Sequence, residues 1–595
     1  MRCAEPQLRS RLLLALAAAS VAFHVWLIFS GLIPNLVSRP LHLLLALPFV
    51  FGFNASGPLW ARWISYAIGA TGAAACVTVI ATRSVLLDQY GSLLGWWQFV
   101  LAIVLIAVVL DMARRAIKPI LPSVALLVLA YGLLGDLIPG HWGHDPPPLD
   151  SFLGTLTIAE GGLWGELTGI SATTVAPFLI LGAMVAAGDA GEGFMALSKK
   201  LAGRYLAGSA KVEVVASALY GTISGSASAN VASTGTITIP NMIRMGYPPR
   251  FAAAVEAVAS SGGQIMPPVM GAGAFLMAEM LRVTYADVMV AAALPALLFF
   301  VAAWAGCHVY GHRLGLRGLP PEELPSWPHV ARTAPFFLAP FGTLVSLLAV
   351  TDMTPQYACV FAIGVAVALL LIDHNGRFDA RRFWRRFAQG MVDAAQQTAM
   401  IAAVIVCASI IVGVLQMTGL GVKITSAILA FSGDRIWAAL ALTALACIAL
   451  GMEVPTTAAF VICISVAGPA LQRLGLPALD AHMFVFWYAL LSTITPPVCG
   501  AVYIAAGIAN TPWLPVAATA MRLGVGLFVL PPAFIANPAL LRPDADLPLA
   551  LAAAVKIGVG IGCLSYAVIG PGPGKRLPRL IALGLGLVTI FTFRL

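Results

Sequence analysis

The chain reads as an all-α integral membrane protein of about 16 to 18 spans and half-spans, organised around an internal duplication. Three observations carry this. Of its 595 residues 60% are apolar and only 10% charged, where a soluble domain carries about 25% charged residues; the mean hydropathy is +0.92. The apolar residues form continuous runs near the roughly 20 residues that cross a bilayer, not the short alternating segments of a barrel. Finally, Ile265-Met-Pro-Pro-Val-Met-Gly-Ala272 returns 229 positions later as Ile494-Thr-Pro-Pro-Val-Cys-Gly-Ala501, six of the eight residues being identical. The same offset pairs Pro240 with Pro469, Arg244 with Arg473 and Gly246 with Gly475.

Taken in order, the chain opens on a short basic end with Arg2, Arg9 and Arg11, followed by an apolar run from Leu12 to Leu32. That run is too long for a signal-peptide core and no compelling cleavage site follows it, so it reads as a retained first span with its basic end in the cytoplasm. Apolar runs at 11–34, 63–82 and 93–112 belong to a four-span module over residues 1–120, closed by Arg114, Arg115 and Lys118. A connector over 121–165 holds the Pro-rich stretch His141-Trp-Gly-His-Asp-Pro-Pro-Pro148. A first repeat covers 166–376, with clear runs at 173–188, 286–306 and 355–372. Residues 377–390, with Arg377-Phe-Asp-Ala-Arg-Arg-Phe-Trp-Arg-Arg386, read as a cytoplasmic amphipathic linker on the membrane surface. The second repeat covers 391–540, with runs at 395–417, 436–452 and 513–536, and residues 541–595 add one or two spans, one at 577–593. An inverted repeat places Arg244 and Arg473 on opposite faces, so loop charges orient the core only weakly.

Several function classes drop out. The net charge of +9 comes from basic residues in short loops between spans, which positive-inside topology explains without a nucleic-acid partner. The nine cysteines are scattered through apolar runs with no metal-ligand or disulfide spacing. There is no Walker Gly-Lys-Ser/Thr, no Gly-x-Ser-x-Gly elbow with a histidine and no His-Glu-x-x-His, so nothing points to an enzyme.

The duplicated element is a poor choice for an ordinary span. Proline removes a backbone donor and glycine relaxes the chain at the same place. Two helices broken at matching places in two halves are the sequence-level pointer to a transporter's binding site. Upstream, residues 214–243 form an uncharged stretch bearing Tyr220-Gly-Thr-Ile-Ser-Gly-Ser-Ala-Ser-Ala-Asn-Val-Ala-Ser-Thr-Gly235. About 40 residues are needed for two full spans, so this stretch predicts a re-entrant hairpin of two half-helices with its tip near 224–230. Small side chains there let carbonyls approach an ion, hydroxyls are hard ligands, and helix N-termini present NH groups to an anion. Gly262 and Gly263 can unwind the first broken helix, and Ser492, Thr493 and Thr495 add hydroxyls to the second. The second tip is expected at Gly451-Met-Glu-Val-Pro-Thr-Thr-Ala458. Any one of these small residues also suits close helix packing; the paired arrangement of tips and breaks is what favours an ion site. Of the acids near apolar runs, Glu453 at the second tip and Glu256 before the first break are candidates for coupling, with a structural role the alternative for each. Glu279 and Asp393 also lie near such runs.

Ser224-Gly-Ser-Ala-Ser-Ala-Asn-Val-Ala-Ser-Thr-Gly-Thr-Ile-Thr-Ile-Pro240, Gly262-Gly-Gln-Ile-Met-Pro-Pro-Val-Met-Gly-Ala272, Gly451-Met-Glu-Val-Pro-Thr-Thr-Ala-Ala459 and Ala481-His-Met-Phe-Val-Phe-Trp487 closely resemble the fused membrane subunits of tripartite ATP-independent periplasmic (TRAP) transporters. The subtype paired with TAXI-type binding proteins is the most similar. The likeness is strong over 170–515 and looser over 1–120, where it rests on span count and position, as for a small membrane subunit fused upstream. It implies sodium-driven secondary uptake of a small organic anion, often a carboxylate, in the bacterial inner membrane, with a periplasmic binding protein delivering the substrate. It implies an elevator, in which a domain holding hairpins and broken helices slides against a scaffold that includes the N-terminal spans. By motif matching, sodium would sit around Ser224, Ser226, Gly262 and Gly263 in one half and Gly451, Thr456, Thr493 and Thr495 in the other, with Ser228, Asn230 and Thr457 on the substrate. No cofactor beyond coupling sodium ions is implied. Glu453 departs from the small or apolar residue of the TAXI pattern, which brings in proton coupling as an alternative. A transporter that needs no binding protein, a channel and an intramembrane enzyme complete the alternatives.

Overall fold

Backbone NH and C=O groups in hydrocarbon must find partners within their own segment, which a helix provides and a lipid-exposed loop does not. The computed structural model describes residues 4–53, 58–116, 119–351, 353–452, 454–570 and 576–592. Among them every regular element is helical, and the only pairing of extended backbone is one isolated bridge between Ile372 and Phe378. Among the described residues eight helices are long and apolar enough to cross a membrane, or up to 10 if each of two bent pairs is one span. The remaining apolar runs form shorter or broken helices, so full spans are fewer than the runs themselves.

Four of the eight lie before residue 117: Ser10–Phe29, Asn35–Phe53, Leu59–Ala81 and Trp96–Ala116. The second is masked in the sequence by Pro40 and Pro48; its last turn, Pro48–Phe53, is wound as a π-helix. Lys118 lies outside the described residues.

From Ala380 onward, the basic segment expected as a surface linker over 377–390 forms the start of one helix, Ala380–Thr418, 39 residues long. Its physical cause is local. Asp379 caps the first turn, its side chain accepting from the backbone NH groups of Arg381 and Arg382 at 2.9 and 3.2 Å. No proline interrupts the run until the chain turns left-handed at Gly419, φ +65°. At 1.5 Å per residue the helix is about 58 Å long, more than the roughly 40–45 Å of a bilayer with its headgroups. It packs against Ala4–Phe29, Asn35–Leu47, Trp96–Ala116 and Ile120–Leu133, and equally against Ala176–Ala187, so the N-terminal helices meet the core along it.

The duplication is carried into the fold. Ala227–Arg244 and Thr456–Arg473 begin and end 229 residues apart, as do Pro249–Gly262 and Ala478–Leu491, and the 3₁₀ turns Gly263–Ile265 and Ser492–Ile494. Gly246 and Gly475 share a positive φ, 85° and 89°, and the Pro267–Pro268 and Pro496–Pro497 bonds are both cis. After the second copy, Leu547–Ile569 and Arg576–Phe591 pair with each other, and the first of them packs on Tyr285–Leu314.

At its N-terminal end the long helix is tied to the preceding loop. Arg382 donates to Asp373 at 2.6 Å, and Asp373 also accepts from the NH groups of Arg377 and Asn375 at 2.8 and 2.9 Å. Arg386 pairs with Asp189. The Arg382 guanidinium, followed by the Arg377 NH, pushes the Asp373 carboxyl down to about 2. A carboxylate lowered on folding stabilises above its ordinary value of about 3.9 and loses that contribution only as pH falls through its folded value. Asp373→Asn should therefore lower the thermal midpoint of the full chain equally at about pH 8 and about pH 5. A difference that closes by the lower pH would contradict the clasp.

Candidate functional site

Two hairpins and two broken helices face one another. The first hairpin joins Gly208–Ser224 to Ala227–Arg244, and the chain reverses at Gly225, φ +58°, a left-handed position that suits glycine. Ser226 is the N-cap of the second arm, accepting from the Ala229 NH at 3.4 Å. The arms have 17 and 18 residues, each about 26 Å, so they are longer than the half-helices expected. The second hairpin joins Ile436–Gly451 to Thr456–Arg473. Its tip includes Glu453, which lies outside the described residues.

Each broken helix stops at its double-proline element. Pro249–Gly262 passes through Gly263–Ile265 into extended backbone and restarts as Ala272–Leu281. Ala478–Leu491 passes through Ser492–Ile494 and restarts as Gly500–Ile508. The restarted helices cross over: Gly500–Ile508 packs on Ala227–Arg244 of the first hairpin, and Ala272–Leu281 packs on Thr456–Arg473 of the second.

The contacts explain the small residues. Gly221 and Gly263 meet backbone to backbone, and a Cβ on either would collide with the other's Cα. Gly225 at the tip lies beside Met270 and Gly271 in the break. Gly262 is covered by the rings of Phe299 and Phe300. Asn230, fully buried, reaches from the hairpin to the Ser260 carbonyl at 3.5 Å. In the second half, the Ser492 hydroxyl donates to the carbonyls of Gly451 and Ala489 at 2.9 and 2.6 Å. The halves are joined where the Ser261 and Thr493 hydroxyls stand 3.0 Å apart, and the Ser228 hydroxyl lies against Gly500.

The structure thus gathers Ser226, Ser228, Asn230, Gly262 and Gly263 around one tip and break, with Gly451 at the other break and Thr493 at the junction. Ser224 ends the first arm, and its side chain lies outside the described residues. Thr456 and Thr457 are buried at the start of the second hairpin's second arm. Thr493 and Thr495 donate to the carbonyls of Leu490 and Leu491 at 2.8 and 2.7 Å. A hydroxyl that spends its hydrogen on a carbonyl keeps oxygen lone pairs for a cation. Among the described residues no cluster of three His, Cys, Asp or Glu suits a harder-bound metal.

Glu256 does not reach this junction. Its carboxylate, fully buried, accepts from Thr234 at 2.6 Å, from Ser260 at 3.2 Å and from Thr238. Beside it lies Glu213, also fully buried, which the sequence reading passed over because it stands one residue before the uncharged stretch. The signal was present as polar residues four apart on apolar helices: Glu213 and Ser217, Thr234 and Thr238, Glu256 and Ser260. Glu279, by contrast, is exposed.

A family model for the DctM component of the tripartite ATP-independent periplasmic transporter matches residues 103–542, a region that includes both hairpins and both breaks. The chain belongs to this family. It is a family of transporters rather than enzymes, and the many apolar helices of this permease fit a multi-pass membrane protein. The permease is similar to the isethionate TRAP transporter permease protein DctMQ of Oleidesulfovibrio alaskensis, 25% identical over 339 residues, which are 56% of this chain and 51% of that protein. It is similar to the C4-dicarboxylate TRAP transporter large permease protein DctM of Pseudomonas aeruginosa, 23% identical over 336 residues, 56% of this chain and 77% of that one. A third relative is the ectoine/5-hydroxyectoine TRAP transporter large permease protein UehC of Ruegeria pomeroyi, 25% identical over 228 residues, 38% and 52% of the two chains. The match spans about half the length of the first and third of these relatives.

The glycine contact yields a direct test. Gly263→Ala should lower the thermal midpoint and the yield of folded permease, since the methyl has only backbone to push against and overpacking of this kind costs about 1–3 kcal/mol. Gly364→Ala, in a helix with open space around the added methyl, should be neutral or slightly stabilising. Equal midpoints for the two variants would dismiss the close approach.

Proposed function

We propose that this permease carries out secondary active uptake of a small organic anion, with a carboxylate the favoured class, driven by a sodium gradient. The observation that supports it most is the junction of two hairpins and two broken helices, joined at Ser261 and Thr493. Such a junction offers hydroxyls, unwound carbonyls and helix N-termini at one place. Sodium is assigned to Ser224, Ser226, Gly262 and Gly263 in the first half and to Gly451, Thr456, Thr493 and Thr495 in the second. Ser228, Asn230 and Thr457 are assigned to the substrate, and Glu453 a coupling role from its position in the sequence. The relatives' names refer to isethionate, C4-dicarboxylate and ectoine; the first two are anions and ectoine carries a carboxylate beside a cationic ring, which supports a small substrate bearing a carboxylate or sulfonate.

The rest of the reading concerns partners and motion. A periplasmic binding protein of the TAXI type delivers the substrate in the bacterial inner membrane. The four N-terminal apolar helices take the part of the small subunit and, with the long helix they pack on, form a scaffold. The hairpins and broken helices form the body that moves against it in an elevator cycle, on an inverted repeat.

Reconstituted permease should be given an inward sodium gradient, a candidate binding protein and radiolabelled succinate, isethionate or ectoine. Uptake should require both the gradient and the binding protein. Uptake without the binding protein would favour a self-sufficient transporter, and uptake indifferent to sodium would remove it as driving ion. Ser226→Ala and Thr495→Ala should each raise the half-saturating sodium concentration about tenfold, equivalent to about 1.4 kcal/mol of lost binding. Unchanged sodium dependence in both would take these residues out of the site.

A further inference from the structure

The paired acids Glu213 and Glu256 have no part in the sodium assignment, yet they are costly to bury. Each sits on a different helix, Gly208–Ser224 and Pro249–Gly262, and both are fully buried. Glu213 takes one hydrogen bond, from Ser217 to its Oε1 at 2.5 Å. Its Oε2 takes no hydrogen bond among the described residues, although it lies beside the Glu256 carboxyl and the Thr238 hydroxyl that Glu256 holds, and Ser217 and Ser260, which donate to Glu213 and to Glu256, stand 3.4 Å apart. Two acceptors facing one another lack the one thing a proton supplies: with it, the contact becomes an O–H···O bond.

Among the described residues no cation does the job instead. Lys211, on the same helix as Glu213, turns away: its Nζ meets His308 Nδ1 at 3.1 Å and stands 4.7 Å over the Trp304 ring. Of the neighbouring titratable groups, Cys307 on Tyr285–Leu314 faces both Glu213 and Lys211, His308 on the same helix faces Lys211, and Tyr247 ahead of Pro249–Gly262 lies beside Cys307. Among the described residues none forms an ion pair with either carboxyl.

The fold does not require this cluster. At the 229-residue offset, Thr234, Thr238, Glu256 and Ser260 correspond to Cys463, Ala467, Val485 and Ala489, and Ile436–Gly451 contains no acid. The same architecture therefore packs without the acids in one half and retains them in the other.

One hydroxyl partner of the pair also lines a cavity. A cavity of about 510 Å³ is lined by Glu192 and His329, by Tyr220 and Ser233, and by Thr234. Glu192 and His329 are solvent-exposed, Ser233 donates to Tyr220 at 2.8 Å, and Thr234 donates to Glu256. Thr234 Oγ1 is also 2.9 Å from the Asn230 carbonyl and 3.4 Å from Asn230 Oδ1. Its single hydrogen serves the Glu256 carboxylate when the acids are ionised.

We propose that Glu213 and Glu256 together bind one exchangeable proton, taken from water in this cavity, and that the permease carries this proton inward with its substrate in addition to sodium. In the loading step a hydronium gives its proton to a carboxylate oxygen of the pair and leaves as water. The coupling to substrate rests on the uptake function proposed above; the proton site does not.

The site is tested on the full-length permease in detergent by infrared difference spectroscopy between about pH 9 and about pH 6, a range in which ordinary carboxylates stay ionised. A C=O stretch of protonated carboxylic acid should appear on acidification, move in heavy water, and move again when the protein is made with heavy-carbon glutamate. Both isotope shifts use the wild-type chain, so they do not depend on a variant folding. Glu213→Gln and Glu256→Gln should each abolish the band. Its absence from folded wild-type protein, or its persistence in both variants, would overturn the proton site. Coupling is tested in proteoliposomes enclosing a pH dye, with whichever of succinate, isethionate or ectoine is taken up. Uptake should acidify the interior, and Glu256→Gln should abolish the acidification. Uptake without acidification overturns coupling, while a band with no uptake of any probe overturns the uptake reading and leaves the proton site standing.

Discussion

An interrupted helix in hydrocarbon leaves NH and C=O groups without intrahelical partners, and everything distinctive in this permease follows from sheltering two such interruptions. The first is sheltered by glycine. Gly221 and Gly263 have no side chains, so the hairpin lies directly on the unwound turn, and lipid is kept from a backbone that would be costly to expose. The second is sheltered by a hydroxyl, with Ser492 donating to the Gly451 carbonyl. One half excludes lipid by close approach and the other by a hydrogen bond.

The crossing of the restarted helices adds interdependence. Each packs on the hairpin of the opposite half, so neither half completes its own surroundings. The hydroxyl contact between Ser261 and Thr493 sits at the centre of this exchange. A change in the geometry of one break is therefore felt at the other through direct contact, without an intervening chain of residues.

Much of this was legible in the sequence, because the duplication is covalent pattern: a repeated Pro-Pro-x-x-Gly element at constant offset and an uncharged Ser/Gly stretch ahead of it. The resemblance to TRAP membrane subunits rested on the same residues, and family membership agrees with it. Three things were not legible. Glu213 escaped notice because a stretch defined by the absence of charge ends where the charge begins, and pairing between helices is a property of packing. The junction of Ser261 with Thr493 joins residues 232 positions apart, which no local pattern encodes. That the basic segment after Arg377 runs on into one long helix was not legible for another reason. Its charges suggested a boundary, but Asp379 at the cap and the lack of proline favour a continuing helix, and charge alone does not end one.

That continuing helix has a mechanical consequence. A single rod from Ala380 to Thr418 touches the N-terminal helices and the core along its length, and it holds no proline or turn at which to bend. Its length is set by its own hydrogen bonds, so it holds the elements packed along it at fixed spacings. The chain leaves the rod at Gly419, where the left-handed turn begins, so that glycine sets the direction in which the next helix departs.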